Sequence, residues 1–238
     1  TPPNFIRRTL MAQQIVRAAD ARGHANFGWL DSRHTFSFGR YYDPKHMGFR
    51  ALRVINDDRV TPGAGFGQHP HDNMEIISYV VEGALEHQDS MGNGSVIRSG
   101  DVQLMSAGTG VTHSEFNASS TESVRFLQIW LPPASRGLTP SYQQRHFAHE
   151  KRQNKLELLV SPDGVGDSLE IHRDVRIFGG LLETSKQLSY ETSPDRYTWI
   201  QVVRGELLID ESTTLHEGDG LAMIDASTVL IQGSSQEE

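Results

Sequence analysis

Residues 63–75 read Gly63-Ala64-Gly65-Phe66-Gly67-Gln68-His69-Pro70-His71-Asp72-Asn73-Met74-Glu75. A glycine-rich turn runs into two histidines one residue apart. In a strand, residues i and i+2 point to the same face, so His69 and His71 aim two imidazoles at one point. A second pair with the same spacing follows at His113-Ser114-Glu115. With the two strands side by side, three imidazoles and one carboxylate converge. Imidazole suits Fe, Ni, Cu or Zn, and the carboxylate extends the choice to Mn. Glu75 competes for the carboxylate place, because a bulge at Asp72-Asn73 would change its face. Periodicity leaves both open, and the i+2 relation to His113 favours Glu115. The other eight histidines, His24, His34, His46, His87, His146, His149, His172 and His216, read as surface or hydrogen-bonded core residues.

Outward from this stretch, short β-prone runs alternate with turn signals. The first set is Leu52–Asn56, Glu75–Val81, Leu85–Gln88, Val102–Ser106 and Val124–Leu131. The second is Leu156–Val160, Val175–Leu182, Tyr197–Val203, Glu206–Ile209, Leu221–Ile224 and Val229–Gln232. Many short strands at close spacing indicate an all-β sandwich or barrel. Residues 11–50 lack a sustained period and read as an aromatic-rich lead-in. Pro132-Pro133 ends the first set, and the polar segment to Lys155 reads as a linker.

The two sets look like an internal repeat. Val80-Val81-Glu82-Gly83-Ala84-Leu85 resembles Val202-Val203-Arg204-Gly205-Glu206-Leu207, and Ser99–Met105 resembles Glu217–Met223. The first offset carries His69 and His71 onto Glu191 and Ser193. The second carries His113 and Glu115 onto Ile231 and Gly233. The second half therefore repeats strands without repeating ligands, which predicts one metal per chain, in the N-terminal half.

Composition narrows the function classes. The 238 residues are 37% hydrophobic and 22% charged, ordinary for a soluble globular protein. A net charge of −8 without a long basic run argues against nucleic acid or an anionic membrane as partner. No apolar run reaches the roughly 18 residues of a membrane helix. With no cysteine, a thiolate zinc site is excluded and a reducing, cytoplasmic location fits. Met11 reads as a start, with residues 1–10 an extension before it.

The spacing Gly63, His69, His71, Glu75 and Gly83 resembles the first cupin motif, and Gly100, Gly108, His113 and Asn117 resemble the second. Three departures stand out. Glu75 to Gly83 is one residue longer than usual, Ser106 replaces a customary proline, and Gly108 to His113 is longer. With the His-Pro-His-x-x-Met-Glu and Thr-His-Ser-Glu runs, they resemble the pirin family, close to the bacterial pirin-like proteins described as quercetin 2,3-dioxygenases. Leu52–Asp58, Glu86–Gly92 and Gln128-Ile129-Trp130 support the likeness. It extends from about Arg17 to near the C-terminus; the family usually finishes with a further apolar strand, whereas this sequence stops at Ser234-Ser235-Gln236-Glu237-Glu238, so either that strand lies outside the sequence or the second barrel closes differently.

The resemblance implies an all-β bicupin of two jelly-roll-like β-barrels. We expect an extension over 1–16, a metal-bearing barrel over 17–131, a linker over 132–155 and a ligand-free barrel over 156–238. It carries His69, His71, His113 and Glu115 over as ligands and leaves Glu75 outside the metal shell. The implied cofactor is one divalent transition metal, Fe(II) first, with Ni, Co, Mn, Cu or Zn as substitutes. The implied activity is opening of a flavonol's central ring by dioxygen, with Glu115 as both ligand and base. Phe66, Met105, Phe126 and Trp130 are candidates to line the cavity, and Gln128 is a candidate inward polar group. The alternative is a metal-binding interaction or redox-sensing regulatory protein without turnover, which would act through a protein partner; a third reading is a metal-dependent oxygenase or hydrolase of another substrate.

Overall fold

The β-prone runs become strands, with glycine turns between many of them. The computed structural model describes residues 13–193 and 195–234; the expectations about residues 1–10, the start at Met11 and the ending at residues 235–238 lie outside them. The first twelve strands are β1 (Gln13–Arg17), β2 (Gly23–Asn26), β3 (Leu30–His34), β4 (Val54–Val60), β5 (Gly65–His71), β6 (Glu75–Glu82), β7 (Ala84–Asp89), β8 (Gly94–Arg98), β9 (Asp101–Ser106), β10 (Val111–Asn117), β11 (Val124–Leu131) and β12 (Ser141–His146). The rest are β13 (Leu156–Ser161), β14 (Leu169–Glu170), β15 (Ile177–Gly180), β16 (Gln187–Glu191), β17 (Tyr197–Gln201), β18 (Glu206–Ile209), β19 (Thr213–His216), β20 (Gly220–Ile224) and β21 (Thr228–Gly233). No helix among the described residues is long and apolar enough to cross a membrane.

The N-terminal half holds a seven-stranded sheet, ordered β12-β9-β6-β11-β4-β3-β2, and a four-stranded sheet, β5-β10-β7-β8. The C-terminal half holds three smaller sheets: β14-β13-β15, β16-β21-β18-β19 and β1-β20-β17. The all-β expectation and the two cupin-like halves stand, but the two barrels do not. No sheet is closed into a barrel or strongly curled. Closure requires the first and last strands of a sheet to share hydrogen bonds. Here the end strands of each sheet remain edges, and apolar faces are covered by a second sheet instead. The glycine pattern and repeat that suggested barrels report strand pairs and turns, and those occur equally in open layers.

β6 shows why the large sheet is so apolar. Ile76 and Val80 pack into clusters that face β5, β7, β8 and β10, while Ile77, Tyr79 and Val81 pack with Leu159, Val160, Leu169 and Ile171 of the C-terminal half. A sheet buried on both faces loses its apolar–polar alternation, so β6 is buried over seven of its eight residues. The repeat is visible in backbone as well. Gly83 and Gly205 turn at φ 76° and 73°, and Gly100 and Gly218 at 90° and 85°, all in the left-handed region that glycine enters without steric cost.

Several segments have roles that local pattern did not reveal. β1 pairs with β20, about the far end of the chain, so the N-terminal segment completes a C-terminal sheet. β12 lies within the expected linker and pairs with β9. β2 and β3 extend the large sheet from the lead-in region. β4 continues past the expected end at Asn56 through Asp57-Asp58-Arg59, a charged run whose two aspartates are buried.

Asp57 explains half of that burial. It faces the C-terminal half, where Arg125 grips both its carboxylate oxygens at 2.9 Å. Arg125 also donates to the Val203 carbonyl at 2.9 Å and meets Glu217 at 2.9 Å. Removing one partner of a buried ion pair leaves the other uncompensated, at a cost of about 3–5 kcal/mol. Asp57→Ala is expected to lose about that much in urea unfolding, whereas Arg145→Ala, which breaks an exposed pair with Asp167, should lose under about 1 kcal/mol.

Candidate metal centre

β10 lies between β5 and β7, and its register decides which side chains meet. His113 is opposite His69 on one side and Asp89 on the other; Glu115 is opposite Phe66 and His87. A register shift between His113 and Glu115 gives β5 one extra residue there. Gly65 permits the approach: a Cβ at this position would sit 2.4 Å from the Glu115 carbonyl oxygen.

This pairing brings His69, His71 and His113 together, with candidate ligand atoms within 4.8 Å of one another. Their ring centroids are 4.4–4.9 Å apart. Glu115 is not in that trio. It joins a second group with His87 and His113, so His113 is common to both. Glu75 points to the other face of the large sheet, where it accepts a 2.7 Å bond from the Ser106 hydroxyl and lies 3.6 Å from His172 Nδ1.

The trio fits a divalent cation. The buried Nε2 atoms of His71 and His113 have no hydrogen-bond partner. His69 Nδ1–H donates to the Gly67 carbonyl at 2.8 Å, which leaves its Nε2 lone pair free. Burial, with His69 nearby, pulls the His71 pKa down to about 4. Burial, with His69, His71 and His87 nearby, pulls His113 down to about 3. The His71 and His113 rings are therefore neutral near pH 7. Acceptor lone pairs crowded without protons call for an electrophile, and imidazole is the commonest side-chain metal ligand.

His87, read in sequence only as a surface or hydrogen-bonded core residue, adjoins the trio. It is fully buried, and its Nε2 lies 3.2 Å from Asp89 Oδ2. Asp89 is in turn fixed by Asn93 and the Met91 amide. With Nε2–H donating to Asp89, His87 Nδ1 is left as an acceptor, 3.4 Å from His113 Nδ1. The chain Asp89–His87–His113 thus holds the proton of His113 on Nδ1 and its lone pair on Nε2. The signal was present as His87-x-Asp89, a period-two pair, but its value depends on β7 lying beside β10.

Glu115 is 3% exposed and fixed from the opposite sheet. Ser78 Oγ donates to Oε1 at 3.0 Å, and Gln128 Nε2 donates to Oε2 at 2.7 Å. Trp130 Nε1–H donates to Gln128 Oε1 at 3.2 Å and so sets the amide's orientation. Burial raises the Glu115 pKa to about 7, against the opposing pull of the Ser78 and Gln128 bonds.

Beside these groups lies a cavity of about 700 Å³. Phe27, Phe38, Tyr41, Phe66 and Trp130 line its walls, and Asn56, Asp58, Glu115, Gln128, His69 and His71 contribute its polar surface. Of the proposed lining residues, Phe66 and Trp130 are there, whereas Met105 and Phe126 are fully buried in the apolar core.

Residues 15–131 match the pirin family, and residues 158–238 match the family described as the quercetinase C-terminal cupin domain. A quercetin 2,3-dioxygenase of Escherichia coli K12 is 49% identical over 223 residues, 94% of this chain and 95% of that protein. A pirin-like protein of Caulobacter vibrioides is 39% identical over 213 residues, 89% of this chain and 91% of that one. The crystal structure of the bacterial pirin YhhW from E. coli in complex with nickel(II) has a TM-score of 0.90 at 48% identity, covering 94% of this chain and 96% of that one.

Two outcomes follow for the metal-free chain. His87→Leu takes away the acceptor that orients His113, and Ni(II) affinity by calorimetry should fall about 10- to 100-fold. The second concerns pH. The folded chain keeps the Glu115 proton up to about pH 7, whereas an unfolded glutamate releases it near 4.5. The Glu115 contribution to stability therefore falls as pH rises between those values. Glu115→Gln lacks this loss, so it should gain on the parent by on the order of 3 kcal/mol across the window, read by urea unfolding.

Proposed function

The chain belongs to the pirin family, and on that premise we propose that it is a metal-dependent dioxygenase that opens the central ring of a flavonol such as quercetin. The observation that carries this reading is one juxtaposition. Three convergent imidazoles and a buried carboxyl with pKa about 7 adjoin an aromatic-walled cavity of about 700 Å³. That size suits a small aromatic molecule. His69, His71, His113 and Glu115 would hold the metal, and the donor set accepts Fe(II), our first choice, as well as Ni(II). When bound, the metal would supply Lewis acidity toward the flavonol 3-hydroxyl and redox access to dioxygen.

The chain's own residues do the rest. Phe38, Phe66 and Trp130 exclude water and flank the flat ring system. Glu115, raised toward neutrality, is matched as a general base for the 3-hydroxyl proton. It takes the proton on a carboxylate oxygen, while the bonds from Ser78 and Gln128 hold the group in place. Trp130 prevents the Gln128 amide from turning its oxygen toward Glu115. Both atoms of dioxygen enter the products, a depside and carbon monoxide. The absence of cysteine supports a cytoplasmic location.

The test is oxygen uptake with quercetin by protein loaded with Fe(II) or Ni(II), alongside metal content. His69→Ala should lose metal. Glu115→Gln, refilled with excess metal, should remain about 100- to 10,000-fold slower than the parent. Full activity of the refilled variant would remove the base role. A loaded parent that consumes no oxygen with any flavonol would end the dioxygenase reading.

A further inference from the structure

Asp58 is the buried acid that the proposed reaction leaves without a task. It is 3% exposed, lines the cavity, and its Oδ1 has no hydrogen-bond partner. Its neighbour Asp57 points the other way, to Arg125. Among the described residues, no arginine or lysine acts on Asp58. In register it lies opposite Ser32 on β3 and Phe126 on β11. The next pair along those strands is Asn56 opposite Gln128, and Gln128 holds Glu115. Asp58 thus lies one row from the Glu115 support, on the same cavity-facing side of β4.

An unsatisfied buried carboxyl oxygen costs stability unless a ligand completes it. Local strand formation does not require it, since a serine or valine would fit the β4 pattern. We propose that Asp58 is a specificity residue that hydrogen-bonds a phenolic hydroxyl of the aromatic substrate, a hydroxyl separate from the one handled by Glu115. This rests on the dioxygenase reading and adds the substrate class: neutral aromatics carrying at least two separated oxygen substituents.

The chemistry selects a hydroxyl. A phenol can donate to a carboxylate and accept from a neutral carboxyl, so it satisfies Asp58 in either state. Burial raises Asp58 to about pH 7, with Asp57 and Glu115 adding to the rise and the Ser32 hydroxyl opposing it, so both states are populated near neutrality. An ether or a bare aromatic edge satisfies only one state or neither. A substrate with its own carboxylate would meet two acids, Asp58 and Glu115, in one apolar cavity.

The experiment is anaerobic equilibrium binding to the Ni(II)-loaded protein, with three probes. They are quercetin, 3-hydroxyflavone, and the quercetin methyl ether that keeps only the 3-hydroxyl free. The parent is expected to prefer quercetin over both others by about tenfold or more. Asp58→Ala should reduce that preference by about 10- to 100-fold, since a site built to hydrogen-bond a hydroxyl is what rejects its absence. Asp58→Asn, which keeps shape, a donor and an acceptor, should retain part of it and covers the case in which the alanine variant fails to fold. Metal content by mass spectrometry should match the parent in both. An unchanged preference in Asp58→Ala, or an Asp58→Asn variant that cannot hold metal, would overturn the proposal. The two readings separate cleanly. A parent that binds quercetin selectively through Asp58 but consumes no oxygen refutes the dioxygenase reading alone. A parent that binds none of the three probes refutes the Asp58 proposal.

Discussion

β10 is hydrogen-bonded on both edges, to β5 and to β7, and the placement of the site follows from that double pairing. A strand held on one edge can slip or twist; one held on two cannot shift register without breaking both ladders. His113 is therefore locked between His69 and Asp89, and Glu115 between Phe66 and His87. The imidazole trio needs no loop to assemble it. It is built on paired strands, the kind of rigid support that holds a ligand set within a few tenths of an ångström.

The facing sheet supplies the complementary half. Register pairs His34 with Asn56, Asn56 with Gln128, Gln128 with Ser78, and Ser78 with Gln103. This makes one polar row across β3, β4, β11, β6 and β9. Flanking positions such as Val80, Phe126, Ile76 and Met105 are apolar core. Buried polar groups are costly unless partnered. Here the row's partners are largely one another and Glu115: His34 Nδ1 meets Asn56 Oδ1 at 2.8 Å, and Ser78 and Gln128 share the carboxylate. The polar row thus stands opposite the acid it supports, and one row away β6 and β11 return to apolar packing with Val80 and Phe126, while β3 and β4 carry Ser32 and Asp58.

This division also explains what could be read from sequence. The convergence of His69, His71 and His113 was legible because period-two spacing is local and glycine turns mark strand ends, whereas Glu115 falls in a separate group with His87 and His113. The repeat was legible for the same reason, since Gly83, Gly100, Gly205 and Gly218 all need φ > 0. Open layers in place of barrels were not legible, because closure depends on whether edges meet, and edge strands such as β2 and β12 lie in stretches without clear periodicity. His87 was hidden because its value lies in a cross-strand contact with His113. β1 was hidden because its partner is β20. Half of β4 was hidden because Asp57-Asp58-Arg59 has the composition of a turn.

That charged run ties the two halves of the molecule to one chemistry. Asp57 and Asp58 are adjacent, so the pleat sends them to opposite faces of the same sheet. Asp57 is neutralised by Arg125, whose other contacts, the Val203 carbonyl and Glu217, belong to the C-terminal half. Asp58 enters the cavity with no such partner among the described residues, and burial raises its pKa to about 7. The face with the salt bridge can be buried only because a second set of sheets covers it. On that same face Ile77, Tyr79 and Val81 of β6 need covering by Leu159, Leu169 and Ile171. Without that cover the large sheet would expose an apolar surface on one side while carrying polar groups on the other. The half that has no histidine cluster among its described residues is therefore what lets a sheet interior be polar where it faces the cavity, and it acts on the site through the strands it covers, β4, β6 and β11, and through Arg17 of β1, which donates to the cavity-wall Tyr41 hydroxyl at 2.8 Å.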